Sequence, residues 1–114
     1  MPFETKEEQV GSVTIVRMSG RLTRAEGKER FEDRLQSLMA AGRRAILLDC
    51  REINDIDSGG VGALMRCVTT ARTRGGQIKL MNLPPLVRAA LQLLGFLKAV
   101  DSFNDETTAL ASFP

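Results

Sequence analysis

The sequence predicts one α/β domain, built on a mixed five-stranded sheet with an antiparallel N-terminal edge. Three observations carry this. Two strand-like segments meet across Gly11-Ser12 near the start. A continuous apolar run, Ala45-Ile46-Leu47-Leu48, closes on Asp49. From there, helical and strand patterns alternate to the end of the chain. No linker, repeat or low-complexity stretch divides the 114 residues. Residues 1–114 are therefore expected to form a single domain, large enough to bury a core without staples.

The elements follow in order. Between Val13 and Met18 apolar residues fall on both parities, and with residues 3–10 they read as an antiparallel hairpin. Thr23 has the look of a helix N-cap, with Glu26 three residues on to complete a capping box. Phe31, Leu35, Leu38 and Met39 then recur at helical spacing among charged residues, and Gly42 supplies a stop. The run 45–48 is the pattern of a strand covered on both faces, expected at the centre of the sheet. After a polar connection, Val61, Leu64, Met65 and Val68 make a second helical stripe within residues 60–74, ended by Gly75-Gly76. Ile78 and Leu80, alternating with Lys79 and Met81, form a further strand, so a parallel crossover is implied. Pro84-Pro85 opens a third helix carrying Val87, Ala90, Leu91 and Leu94, stopped by Gly95. Residues 97–100 are expected as the last strand, and Asn104 as the cap of a short terminal helix with Ala109 and Leu110. The total is five strands and four helices.

Composition removes several classes of function. The chain is 43% apolar and 26% charged, the balance of a soluble globular protein, and its net charge is only +2, with Lys and Arg scattered along it. With no basic patch and few aromatics, nucleic acid is not an expected partner. No apolar stretch is long enough to cross a bilayer and the first residues lack a signal-peptide pattern, so a cytoplasmic protein without direct membrane insertion is expected. The absence of His removes Ser-His and Cys-His nucleophile pairs and His metal ligands. Cys50 and Cys67, flanked by apolar residues, read as reduced core filler rather than a disulfide.

The chemistry concentrates in Asn54-Asp55-Ile56-Asp57-Ser58-Gly59-Gly60-Val61-Gly62, on the carboxyl side of the buried strand, where open α/β sheets place their sites. Ser58 stands where the N-cap of the second helix is expected. The glycines after it leave the first amides uncovered, and free N–H groups with the helix dipole favour an anion, including a phosphate on that serine. The bland alternative is a plain N-cap followed by a tight turn. Three glycines in four positions are costly for a helix start, at roughly 0.5–1 kcal/mol each relative to Ala, which suggests that something approaches the backbone closely.

These residues resemble the STAS domains, the family of sulphate transporter and anti-sigma factor antagonist modules. The matching elements are the apolar strand Ile46 to Asp49 followed by Asp57-Ser58-Gly59-Gly60-Val61-Gly62, supported by Gly20-Arg21-Leu22, Gly75-Gly76, Leu80, Asn82, Pro84, Val87, Leu91 and Gly95-Phe96. The resemblance implies the STAS fold and a non-enzymatic anti-sigma factor antagonist. Unphosphorylated, such a protein binds an anti-sigma factor that is also a serine kinase and frees a sigma factor; phosphorylation of Ser58 turns it off, and a serine/threonine phosphatase reverses the modification. The implied partner surface is Thr23, Asp55, Ile56, Asp57, Ser58, Gly59, Gly60, Val61, Gly62 and Met65. Gly59 stands where many members have a second serine, and no acidic residue stands at Thr23. A phosphate beside Asp55 and Asp57, with no local Arg or Lys to neutralise it, is expected to weaken the complex by repulsion and desolvation.

Other chemistry fits poorly. An EF-hand loop begun at Asp55 would end on Arg66 instead of Glu, Asp55 and Asp57 lie too far past the apolar strand for a phosphatase nucleophile, and Gly27-Lys28 is misplaced for a P-loop. A dinucleotide fingerprint from Gly60-x-Gly62 would need glycine where Met65 stands. No metal and no cofactor are expected. The competing roles are a STAS regulatory subunit of a transporter complex and a scaffold of a stressosome-type assembly, both without phosphorylation.

Overall fold

The computed structural model describes residues 2–114. Strand β1 (Glu4–Val10) and strand β2 (Val13–Leu22) form the expected hairpin, with Val10 opposite Val13 across the Gly11-Ser12 turn. Helix α1 (Lys28–Ala40), strand β3 (Ala45–Ile56), helix α2 (Ser58–Thr73), strand β4 (Gln77–Met81), helix α3 (Pro85–Leu93), strand β5 (Ser102–Phe103) and helix α4 (Glu106–Ala111) complete the order. The sheet runs β1-β2-β3-β4-β5, antiparallel between β1 and β2 and parallel elsewhere, so β3 is the central strand as its apolar run predicts.

Two hydrophobic clusters divide the core. On one face, Phe31 and Leu35 of α1, Val61, Leu64 and Val68 of α2, and Val87 and Leu91 of α3 pack with Val16, Ile46, Leu48 and Leu80 of the sheet. On the other, Ala109 of α4 closes a smaller cluster of Val13, Ile15, Leu47 and Met81. Between these layers β3 is apolar on both sides, which is why its first half shows no alternation. Asp49, which ends the run, is tied down on the α4 side. Its carboxylate accepts from Arg17 at 3.0 Å, from Asn82 Nδ2 at 3.1 Å and from the Arg51 N–H at 3.1 Å, while Arg17 also reaches Glu8 and Glu106. Those carboxylates hold the Arg17 guanidinium protonated, against its partial desolvation.

Four local expectations need correction. The polar connection expected after Asp49 is strand instead: β3 runs on to Ile56, paired with β2 as far as Leu22 opposite Ile56 through two register shifts that break the alternation of its inward residues. Thr23 does not cap α1, whose N-cap is Gly27 at φ 84°. The Thr23 hydroxyl instead accepts from the Glu26 N–H at 3.1 Å, and the Thr23 N–H donates to the Glu26 carbonyl at 2.7 Å, closing a turn over residues 23–27. Residues 97–100 form a turn and not the last strand; Val100 is buried by packing, but backbone pairing with β4 comes at Ser102 and Phe103. Asp105 rather than Asn104 caps α4, accepting from the Thr108 N–H at 2.8 Å.

Cys50 and Cys67 are 1% and 7% exposed and are free thiols. Burial pushes the Cys50 thiol up to about 12, with Asp49 adding to it, and the Cys67 thiol up to about 11. A thiol held protonated inside the core is a poor nucleophile. Ellman titration of native protein is therefore expected to label both slowly and to go to completion on unfolding. Rapid labelling of both under native conditions would contradict this packing.

Candidate functional site

The second half of β3 carries the chain past the end of β4 and delivers Asp57 to the start of α2. Asp57 is the N-cap, in extended conformation at φ −126°, ψ −177°; its Oδ1 accepts from the Gly60 N–H at 2.9 Å. Ser58 is thus the first helical residue, not the cap expected of it, and its exposed hydroxyl takes no part in the capping. The same Asp57 carboxylate accepts the Arg24 backbone N–H with both oxygens at 3.1 Å, so one side chain joins the 23–27 turn to the first turn of α2. Desolvation raises the Asp57 carboxyl, but the N–H groups of Gly60, Arg24 and Gly59 and the charge of Arg24 outweigh it and hold the group below its ordinary value.

The glycines divide by cause. A Cβ on Gly60 would collide with the Leu22 carbonyl oxygen and stand 2.8 Å from its carbon. The close approach that the glycines imply is therefore made here by the chain itself, where the end of β2 crosses the start of α2. At Gly59 a Cβ would come within 3.0 Å of the Arg24 Cβ and 3.3 Å of Asp57 Oδ1. Gly62 has no such constraint, since a Cβ there would meet only the tip of the Arg66 side chain at 3.2 Å.

Of the ten residues expected at a partner surface, nine fall within residues 55–65 and Thr23 lies in the turn after β2, and they do not share one exposure. Asp57 and Ser58 are exposed, and Asp55, Gly59 and Gly62 are half-buried. Thr23, Ile56, Gly60, Val61 and Met65 are buried; they shape the surface from beneath, Val61 being fully covered. Next to the exposed pair stands Arg24, which sequence reasoning missed. Its charge acts on Asp57 and its Cβ lies against Gly59, so the expectation of no local Arg or Lys is overturned. Only the turn closed by Thr23 and Glu26 brings Arg24 there, from 33 positions before Asp57. A shallow groove runs on from the site along α2, lined by Gly62, Met65, Arg66, Thr69, Thr70 and Phe96. Among the described residues no group of His, Cys, Asp and Glu could hold a metal ion, and no helix is long and apolar enough to cross a membrane.

Comparison with known proteins places this arrangement in a family. Residues 5–101 match the family model described as Mlab, STAS domain. The chain belongs to the STAS domain family. It is 26% identical over 106 residues to BtrV of Bordetella bronchiseptica, assigned as an anti-sigma factor antagonist, covering 93% of this chain and 90% of that one. Among solved structures it resembles an anti-sigma factor antagonist from Thermotoga maritima at TM-score 0.86, with 18% identity and 94% and 92% of the two chains covered. It also resembles the Bacillus cell fate determinant SpoIIAA in its phosphorylated form at TM-score 0.73, with 21% identity and 95% and 97% covered.

Two stability predictions follow from the site. Gly60→Ala is expected to cost about 1–3 kcal/mol by overpacking against Leu22, whereas Gly62→Ala is expected to be neutral or to stabilise by up to about 1 kcal/mol, read from urea midpoints at constant slope. Asp57→Ala is expected to cost about 1 kcal/mol at pH 7. Because Asp57 titrates lower in the folded chain than in the unfolded one, its ionised form stabilises above the ordinary carboxylate range. That contribution is lost as pH falls through the folded value, so the gap between wild type and Asp57→Ala should narrow below about pH 4. A gap unchanged down to pH 2 would contradict the charged cap.

Proposed function

We propose that this chain is an anti-sigma factor antagonist that works by partner switching, with the Ser58 hydroxyl as the phosphate acceptor. The observation that carries the reading is the position of that hydroxyl: exposed on the first turn of α2, beside a cap that Asp57 already provides, so that it can be modified without dismantling the helix start. The likeness to BtrV and to SpoIIAA, one form of which is phosphorylated, supports the same role here.

In this mechanism the unmodified chain binds an anti-sigma factor and releases its sigma factor. The anti-sigma factor is a serine kinase that brings its own ATP and catalytic groups, and this chain supplies only the attacking oxygen. The Ser58 oxygen bonds to the γ-phosphorus, ADP leaves, and the hydroxyl proton passes to a base of the kinase. The product carries about −1.5 to −2 extra charges at the contact surface, which changes what that surface can bind. A serine/threonine phosphatase hydrolyses the ester and resets the switch. The fold need not change, because the added group projects from an exposed position.

The test is incubation with a cognate kinase-type anti-sigma factor and ATP, followed by phosphopeptide mapping. Phosphate is expected on Ser58 alone. Ser58→Ala is expected to bind the kinase as the unmodified chain does and to stay within about 0.5 kcal/mol of wild-type stability, since it removes no cap. Ser58→Asp is expected to bind more weakly. Phosphate on another residue would overturn the assignment, and stable binding to a transporter complex with no phosphorylation would favour the scaffold role instead.

A further inference from the structure

The site contains a cation that the switch as described does not use. Arg24 is exposed, and none of the ion pairs among the described residues involves it, whereas Arg17, Arg34 and Arg66 are each paired with a carboxylate. Its backbone is fixed over the helix start by the two 3.1 Å hydrogen bonds to Asp57, and its Cα and Cβ lie against Gly59, the residue following Ser58. Gly59 keeps this approach open, since a side chain there would press on Arg24. The guanidinium therefore starts from a root anchored beside Ser58; its charge acts on Asp57 but closes no ion pair with it.

Other charged groups stand near Ser58. Asp55 and Asp57 precede it, and Asp57 spends its carboxylate inward on the N–H groups of Arg24 and Gly60. Arg21 of β2 lies opposite Asp55 in the strand register. Arg66, two turns along α2, is held at 3.1 Å by Glu32 of α1. Of the nearby cations, Arg24 alone is both anchored next to the hydroxyl and unpaired.

We propose that Arg24 is the counter-charge of phosphoserine 58, so that phosphorylation clamps the 23–27 turn onto the first turn of α2 instead of leaving a bare repulsive charge. A guanidinium and a phosphate pair well because a planar fork of donors meets acceptor oxygens. The modification then has two effects on the surface: it adds negative charge at Ser58 and it withdraws Arg24 from any partner. The proposal rests on Ser58 being the modified residue, but its test needs no kinase.

Phosphoserine is placed at position 58 of the full chain by genetic encoding or semisynthesis, and the phosphate is titrated by phosphorus NMR in wild type, Arg24→Gln, Arg24→Lys and Arg21→Gln backgrounds. A free phosphoserine has its second pKa near about 6. In wild type it is expected to lie about half a unit below its value in Arg24→Gln, the size of an exposed charge pair, and this difference is expected to vanish at high salt. Arg24→Lys is expected to keep part of the shift and Arg21→Gln nearly all of it. A wild-type value no lower than that in Arg24→Gln, or a shift abolished by Arg21→Gln and not by Arg24→Gln, would overturn the clamp. Failure of the kinase to modify Ser58 would sink the switch while leaving this titration unaffected, so the two can fail separately.

Discussion

The Asp57 carboxylate is the contact on which the site depends. It accepts hydrogen bonds from two pieces of chain far apart in sequence, the first turn of α2 and the turn that follows β2. Such charge-assisted bonds to backbone N–H groups are stronger than neutral ones and fix direction as well as distance. Without that carboxylate the helix would lose its cap, and Arg24 would lose the anchor that sets it beside Ser58. The contact also requires glycine at position 60, because the two segments cross with a carbonyl oxygen where any Cβ would sit. Cap, crossing and exposed hydroxyl are one local solution rather than three separate features.

The rest of the fold holds this solution at a fixed place. Strand β3 is buried on both faces in its first half, so its register is pinned by Ile46, Leu47 and Leu48 against two hydrophobic layers. Its second half, paired with β2 alone, extends past the end of β4 and is covered on one side only, where Ile53 and Ile56 join the larger cluster. A rigid root with a projecting end suits a surface that meets a partner, since the exposed residues are positioned by packing that they do not themselves contribute to. The Arg17–Asp49 network on the α4 side ties β1, β2, β3 and α4 together away from Ser58.

Much of the fold was legible in the sequence because burial leaves a periodic trace. The apolar run 45–48, the helical stripe through Val61, Leu64 and Val68, and the hairpin across Gly11-Ser12 each follow from which face is covered. What escaped was set by hydrogen bonds rather than by burial. Asp57 and Ser58 are equally good caps on paper, and only the geometry assigns the role to Asp57. Thr23 and Glu26 have the spacing of a capping box, but their bonds close a turn before the helix. Arg51 to Ile56 look polar because a strand near the rim of a sheet exposes one side, and bulges broke the alternation that would have marked it. Arg24 was invisible because its place depends on a tertiary contact. One signal was available for the glycines: three in four positions implied a close approach, although the neighbour at Gly60 is Leu22 and not a partner.

The central claim is that one phosphate on one exposed oxygen decides whether the partner binds. The direct measurement is the affinity of a purified anti-sigma factor for two otherwise identical chains, one unmodified and one carrying stoichiometric phosphoserine at position 58, by titration calorimetry at fixed ionic strength. The account predicts that the phosphorylated chain binds at least about tenfold more weakly, a difference of about 1.4 kcal/mol. Equal affinity of the two forms would contradict it.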